Sequence, residues 1–333
     1  MKLRHACECA AIAWVALLSA ACAASSSLTQ PRTNAFSATV LTRNRPSSRI
    51  SPKASSQNLL YVSNDGGGNV VLYSYPGGQL VGKIYNLSSP TGVCADASGS
   101  VWVVESGSSK IVKFPHGSGK AAASLTNSAP NLLGCAVDTS TGNLALTNLG
   151  TLQSSGDVWV YASARGKPAA YRNSQLAEIY FAAYDTQGNL FVDGVDSKYH
   201  FQLAELPVGG NSLRIVSMNQ TVGFPGGLQW DGQYLALGDQ SYQGRHNAAV
   251  YQIAISGSAG SVEGTTVLSG SCGIGGFAIS GAGQKRLQSG EELAMVDPCQ
   301  NNAKLYAYPA GGYSLDTLTG SQYPLAATIS YAQ

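Results

Sequence analysis

A chain of 333 residues that is 44% apolar can build a large core, yet only 11% of it is charged and it carries 39 glycines and 17 tyrosines. That balance excludes a helical bundle or a disordered tail and describes a turn-rich β protein, a class whose single domains run past roughly 200 residues. The formal net charge of +2 comes from the N-terminal stretch; the mildly acidic remainder suits no phosphate backbone, and no nucleic-acid partner is expected.

The chain opens with Lys2 and Arg4, the apolar run AAIAWVALL at 10–18 and the small residues SAACAA. Charge, length and small-residue exit predict a secretory signal peptide over 1–23. The apolar run is too short to anchor the chain across a bilayer. Two cleavage readings stand. In one, Cys22 is the lipidated cysteine of a bacterial lipoprotein box, although Ser19 stands where such boxes place leucine and Leu18 comes one position earlier. In the other, cleavage follows Ala23. Residues 24–57 hold Arg32, Arg43, Arg45, Arg49 and Lys53 with no acid, three prolines and many serines and threonines. This reads as a flexible basic tether, with a positive charge that suits anionic headgroups.

From 58 onward one phrase recurs. In SPTGVCADASGSVWVVE an apolar strand opens at Gly92 and ends at Asp96, a tight turn follows, and a second apolar strand ends in an acid. The opening recurs at Gly134, Phe181, Gly227, Gly276 and Ala326, at separations of 42, 47, 46, 49 and 50 residues. Turns such as DASGS and DTQGN let the acid cap the backbone two residues on and let glycine take positive φ. A third strand then runs into a proline- or glycine-rich turn, as in VVLYSYPGG, IVKFPHGSG and LYAYPAGG. Periods in the forties are those of propeller blades, each a four-stranded antiparallel sheet that must stack on its neighbours.

The ends of the repeat region fix the closure. NLLYVSN at 58–64 is a second strand with no first strand before it, and YPLAATISYAQ at 323–333 is a first strand with nothing after it. Pairing them completes one blade and removes two open edges. The expected fold is therefore all-β: a six-bladed β-propeller over 58–333 in which the C-terminal strand joins the N-terminal blade. The pattern resembles the NHL-type and TolB-like six-bladed propellers, a likeness carried by the blade phrase and specific for fold.

The cysteines fit that ring. Cys7 and Cys9 leave with the signal peptide, and Cys94 lies two residues past its opening glycine while Cys135 lies one past its own. Successive strand residues point to opposite faces, so these two face each other across neighbouring blades. Cys272 precedes one first strand and Cys299 follows the second strand of the same blade, on one face of the disc. Cys94–Cys135 and Cys272–Cys299 are the predicted disulfides, suited to an exported protein. Cys22 is then left unpaired after the signal peptide, as lipidation would need.

Chemistry is harder to find. The resemblance extends to the gluconolactonase-like enzymes, whose divalent cation is held at the channel mouth, with an Asn and an Asp just before the glycines that open their blades. Here those positions hold Thr91, Leu133, Tyr180, Gly226, Gly275 and Leu325, none of them a carboxylate or amide ligand. No G-x-S-x-G elbow or H-E-x-x-H zinc motif occurs. GSCGIGG at 270–276 leads into a strand and lacks a lysine, so it reads as an inter-blade loop. A lyase of the streptogramin-cleaving kind needs a histidine base at the channel, whereas His200 and His246 sit in outer loops and His116 on the opposite face.

One polar pattern remains. Second strands end in Asn64, Glu105, Asn148, Asp239 and Asp297, with Asp193 one residue early. These groups could bind a cation or sugar hydroxyls, or could each cap their own loop. The long loops DGVDSKYH and DQSYQGRHNAA add Tyr199, His200, Tyr242, Arg245 and His246, types favoured at interfaces. The expectation is an exported, monomeric, non-catalytic scaffold that needs no cofactor or metal and binds an envelope or extracellular protein or glycan. It would reside in the periplasm, on the outer membrane as a lipoprotein, or outside the cell, touching a membrane only through a lipid on Cys22. The alternatives are a hydrolase or lyase with a relocated site, and a structural surface protein without a specific ligand.

Overall fold

The computed structural model describes residues 47–151, 154–244, 247–281 and 291–333. The expected signal peptide, Cys22 and the tether up to residue 46 lie outside the described residues, as do Arg245 and His246.

In chain order the strands are β1 (Arg49–Ile50), β2 (Leu59–Asn64), β3 (Asn69–Ser74), β4 (Leu80–Tyr85), β5 (Pro90–Ala95), β6 (Val101–Glu105), β7 (Lys110–Phe114) and β8 (Ala123–Thr126). There follow β9 (Leu132–Val137), β10 (Leu144–Asn148), β11 (Asp157–Tyr161), β12 (Ala169–Tyr171), β13 (Glu178–Tyr184), β14 (Leu190–Val195), β15 (Phe201–Leu206) and β16 (Arg214–Met218). The rest are β17 (Pro225–Trp230), β18 (Leu235–Asp239), β19 (Ala248–Ser256), β20 (Ala259–Ser269), β21 (Phe277–Ile279), β22 (Glu291–Asp297), β23 (Asn302–Tyr308), β24 (Gly312–Tyr313), β25 (Asp316–Leu318) and β26 (Pro324–Ser330). No α-helix occurs among the described residues; the only helical pieces are short 3-10 turns such as Pro52–Ser56.

The strands form a ring of sheets, the architecture of a β-propeller. The innermost strands touch in the cyclic order β26, β5, β9, β13, β17, β21 and back to β26. Closure is as expected: β26 pairs antiparallel with β2, with Leu59 opposite Ser330 and Val62 opposite Ala327. Hydrogen bonding joins the strands into five sheets, however, where separate blades predicted six. The cause is an extra bridge at the rim. Outer strands β16 and β20 pair in parallel through Ser217 with Ala259 and Met218 with Gly260, fusing two antiparallel runs into one nine-stranded sheet. The tether boundary also moves. Arg49 and Ile50 pair with Lys83 and Gly82 on the outer edge of β4, so chain expected to be flexible covers an otherwise open strand edge.

Second strands β2, β6, β10 and β18 are buried at every position. A strand flanked by sheets on both sides has no wet face, so it reads as an unbroken apolar run. Strand alternation still sorts its side chains. Leu59 and Tyr61 pack with Val93, Val101 and Val103 of the following sheet. Leu60 and Val62 pack with Ala294, Val296 and Leu305 of the preceding one. The core therefore lies between sheets, and each fully buried leucine contributes roughly 1.5–3 kcal/mol. Both cystines lie where parity and topology put them, with Cα atoms 5.8 Å apart for Cys94–Cys135 and 6.2 Å for Cys272–Cys299.

At the axis the opening residues almost touch. A Cβ on Gly92 would sit 2.7 Å from the Leu133 carbonyl oxygen, and one on Gly227 would sit 2.8 Å from the Phe277 ring. Glycine at these positions permits the close approach. The ladder between first and second strand shifts register here, between Pro90 and Val93, Ile179 and Ala182, and Pro225 and Leu228. Such bulges leave the opening N–H without a ladder partner. It finds one in the next sheet. Gly227 donates to the Gly275 carbonyl at 3.0 Å and Gly276 to Leu325 at 2.8 Å. Elsewhere a hydroxyl relays the bond: Ala326 donates to Ser63 Oγ at 2.9 Å, which donates to the Thr91 carbonyl at 2.6 Å. Gly134 likewise donates to Thr147 Oγ1 at 2.8 Å, which donates to the Tyr180 carbonyl at 2.6 Å.

Candidate functional site

The loop face carries the residues that end the second strands, and the structure occupies them in a common way. Glu105 accepts from Ser88 N at 3.0 Å and from Ser108 Oγ at 3.2 Å. Asn148 Oδ1 accepts from Asn131 N at 2.9 Å, and Asn64 Oδ1 from Gln322 N at 2.5 Å. Asp239 takes the amides of Gly223, Phe224 and Ser241 at 2.9, 3.1 and 2.9 Å. Asp297 accepts from Cys272 N at 3.0 Å and pairs with buried Lys304 at 3.3 Å. Apart from the Ser241 amide, which lies in the loop leaving the second strand, the amides belong to the loop entering the first strand of the same repeat unit. The side chain thus ties the entry loop to the exit of the second strand, which is the capping role that acids and amides take beside free N–H groups.

Asp193 departs from the pattern. It is fully buried, its Oδ1 accepts from Phe181 N at 2.7 Å, and among the described residues its Oδ2 has no hydrogen-bond partner. Burial pushes its carboxyl well above the usual carboxylate range, against the pull of the Phe181 amide.

The two long loops follow β14 and β18. Tyr199 is 60% exposed and holds positive φ. His200 is exposed and pairs with Asp196 at 3.1 Å. Tyr242 is half-buried, edge-on to Tyr251 with ring centres 6.2 Å apart, and Tyr251 OH donates to Asp239 at 3.2 Å. Burial, with Asp239 beside it, raises the Tyr251 hydroxyl.

A cavity lies on the axis at the opposite face, with a volume of about 420 Å³. Its walls begin beyond the opening positions, on the second halves of the innermost strands, and end at the turns into the second strands. Asp96, Asp138 and Asp185 stand at its rim, with Gln229, Trp230 and Thr328 among the other lining residues. The rim acids hold their own turns. Asp96 accepts from Ser98 N at 2.9 Å and pairs with Lys113 at 2.7 Å; burial raises its carboxyl, but Lys113 and Ser98 outweigh that and hold it low. Asp138 is held low in the same way, Thr141 and Ser140 outweighing burial. Among the described residues the cavity wall carries no lysine, arginine or histidine.

Near the same face His116 Nδ1 lies 2.6 Å from Ser330 Oγ and its Nε2 lies 3.0 Å from the Gln57 carbonyl. A serine–histidine contact invites a nucleophile reading, but Ser330 is buried and its hydroxyl also donates to the Gly99 carbonyl at 2.5 Å. The pair fastens β26 to the start of β2 and to the next turn. The pattern search along the chain passed over Ser63 and Thr147, whose hydroxyls link neighbouring sheets. Their signal was a lone hydroxyl in an apolar buried strand, in LLYVSN and LALTN.

Comparison with known proteins agrees with this architecture. The NHL repeat family matches residues 87–114, which span β5, β6 and β7. No curated protein matches the chain. A chain from the crystal structure of a nidogen/laminin complex superposes with a TM-score of 0.64 at 15% identity, covering 83% of this chain and 99% of that one. A chain of Kuenenia stuttgartiensis hydrazine synthase gives 0.52 at 10% identity, covering 82% and 80%. A streptogramin B lyase gives 0.48 at 14% identity, covering 79% and 74%. The fold class is that of the β-propellers. With 987 solved chains matching, likeness of fold does not choose an activity.

Proposed function

We propose that this chain is an exported six-bladed β-propeller, lipid-anchored through Cys22 or free, that acts as a non-catalytic scaffold binding a protein or glycan in the cell envelope or outside it. The count of six rests on treating the nine-stranded sheet as two blades. Each of its antiparallel runs has its own first strand, β13 or β17, and the only strand pairing between the two is that of their outermost strands, β16 and β20. Export is supported by the N-terminal sequence and by two cystines of the kind oxidising compartments allow.

The observation that carries the scaffold reading is the occupation of the loop-face polar groups. Asp239 engages both its oxygens with backbone amides of its own loops, and Glu105 and Asp297 each hold an entry-loop amide, which argues against a cation held there. Exposed Tyr199 and half-buried Tyr242 offer instead the large, polar-tipped area that partner surfaces use. The test is a glycan array and a crosslinking screen against envelope proteins, run with the full chain and with the double variant Tyr199→Ala, Tyr242→Ala. Specific binding that falls at least about tenfold in the variant, at unchanged melting temperature, is the expected result. Turnover of a lactone by the purified chain, dependent on a bound divalent cation, would replace this reading with the lactonase-like one.

A further inference from the structure

Asp193 occupies the same place in its repeat as Ser63 and Thr147 do in theirs. Each is the side chain on the second strand that accepts the N–H of the opening residue at the bulge: Ala326 for Ser63, Gly134 for Thr147 and Phe181 for Asp193. The two hydroxyls then donate onward to a carbonyl of the next sheet, that of the residue just before its opening position, Thr91 or Tyr180. Gly226 is the corresponding residue for Asp193, since it precedes Gly227, and β14 packs against β17. A carboxylate in this place would aim a second bare oxygen at a region of main-chain acceptors, and it would do so fully buried. A buried ion without a partner costs several kcal/mol, and the group neutralises instead.

We propose that Asp193 keeps its proton in the folded protein and works as a hydroxyl does at the other two junctions. Its Oδ1 accepts from Phe181 N, and its Oδ2–H donates to the Gly226 carbonyl of the following blade. One neutral carboxylic acid thereby adds a further hydrogen-bonded link near the axis, joining the unit of β13–β16 to that of β17–β20. The titratable groups nearby are acids and tyrosines, with no cation among them in the described residues. Tyr180 on β13 lies within Coulombic range of Asp193, of Glu178 on the same strand and of Tyr199 on the turn after β14. On β15 the one such group is Glu205, paired opposite Phe191 rather than Asp193, and β17 contributes no titratable side chain.

The link is therefore sensitive to pH. An acid with a raised folded-state pKa takes up a proton on folding, so its site weakens the fold progressively as pH rises above the unfolded value near 4. Asparagine reproduces the neutral acid, with an oxygen for Phe181 N and an amide N–H for the carbonyl. The experiment compares full-length wild type, Asp193→Asn and Asp193→Ser by thermal melting across pH, with the protonated-carboxyl C=O stretch read by infrared difference spectroscopy. We expect that band in the wild type at neutral pH and its loss in Asp193→Asn. The asparagine variant should melt higher than wild type by about 2 °C or more near pH 8, the gap closing toward pH 4. Asp193→Ser should fold, because the same hydroxyl link serves at Ser63 and Thr147. Absence of the band at neutral pH, or an Asp193→Asn variant that melts below wild type at every pH, would overturn the proposal. The infrared measurement on wild type alone decides it should a variant fail to fold.

Discussion

The seam where the two chain ends meet and the junction between β13 and β17 do the same job with different chemistry. At the seam a series of side-chain hydrogen bonds joins the two strands and their flanking loops. Ser63 relays between Ala326 and Thr91, Asn64 holds Gln322, Asn58 Oδ1 accepts from Ala332 N at 3.1 Å, and His116 bridges Ser330 and Gln57. At the other junction one buried acid stands in the place of the hydroxyl, while the outer strands β16 and β20 hold the two runs together at the rim. The difference teaches where specificity is needed. Neighbouring units inside the chain are held by covalent continuity, so a link that weakens as pH rises is tolerated. The seam has no such continuity and must be held by bonds alone.

The strongest way to break the comparison is to remove the seam. Truncation after Gln322 deletes β26, bares the whole edge of β2 and exposes Val62 and Leu60; loss of the cooperative melting transition and of near-ultraviolet dichroism is expected. The next effect is covalent. Cys94→Ser removes the cross-link between two interior units, a closure over a sequence separation of 41 residues. It should cost about 2–4 kcal/mol in denaturant unfolding. A cost close to zero would mean that packing alone fixes that junction.

Ser63→Ala sharpens the contrast at the level of one atom. It strands the Ala326 N–H and the Thr91 carbonyl in a buried site, for an expected loss of about 1–3 kcal/mol. Asp193→Asn should instead stabilise near pH 8, the gain closing toward pH 4. The smallest effect concerns the rim acids. Asp96 has its folded-state pKa held below the ordinary 3.8, so its contribution is present above that value and lost as pH falls through the folded one. Asp96→Asn should flatten the acid limb of a melting-temperature profile below about pH 4, with little change at neutral pH.

Much of the architecture was legible because it is periodic. The opening glycines, the capped turns and the apolar second strands each recur at blade spacing, and the unmatched strands at 58–64 and 323–333 had only each other to pair with. Both cystines followed from strand parity and loop position. The fused sheet was not legible, because β16 and β20 are outer strands whose variable sequences carry no repeat phrase. The pairing of Arg49 and Ile50 was hidden for a similar reason: two residues in a polar, proline-containing stretch have no period, and β4 alone gives them a place. At the loop face the sequence offered two readings for the terminal acids, ligand or cap. The amides of Ser88, Gly223 and Cys272 lie within hydrogen-bond reach of them and favour the cap. The polar strand ends lie on that face, whereas the axial cavity opens on the other.

The sequence by itself determined what depends on neighbours along the chain: strand parity, turn chemistry, and the offset of one strand that forces the ends together. Only the tertiary structure decided what depends on atoms far apart in the chain. Which face holds the cavity, which rims fuse, and whether a buried acid meets a donor or an acceptor are set by how the blades lean on one another. Packing is a property of pairs of surfaces, and a repeat written along one strand does not specify the surface it will meet.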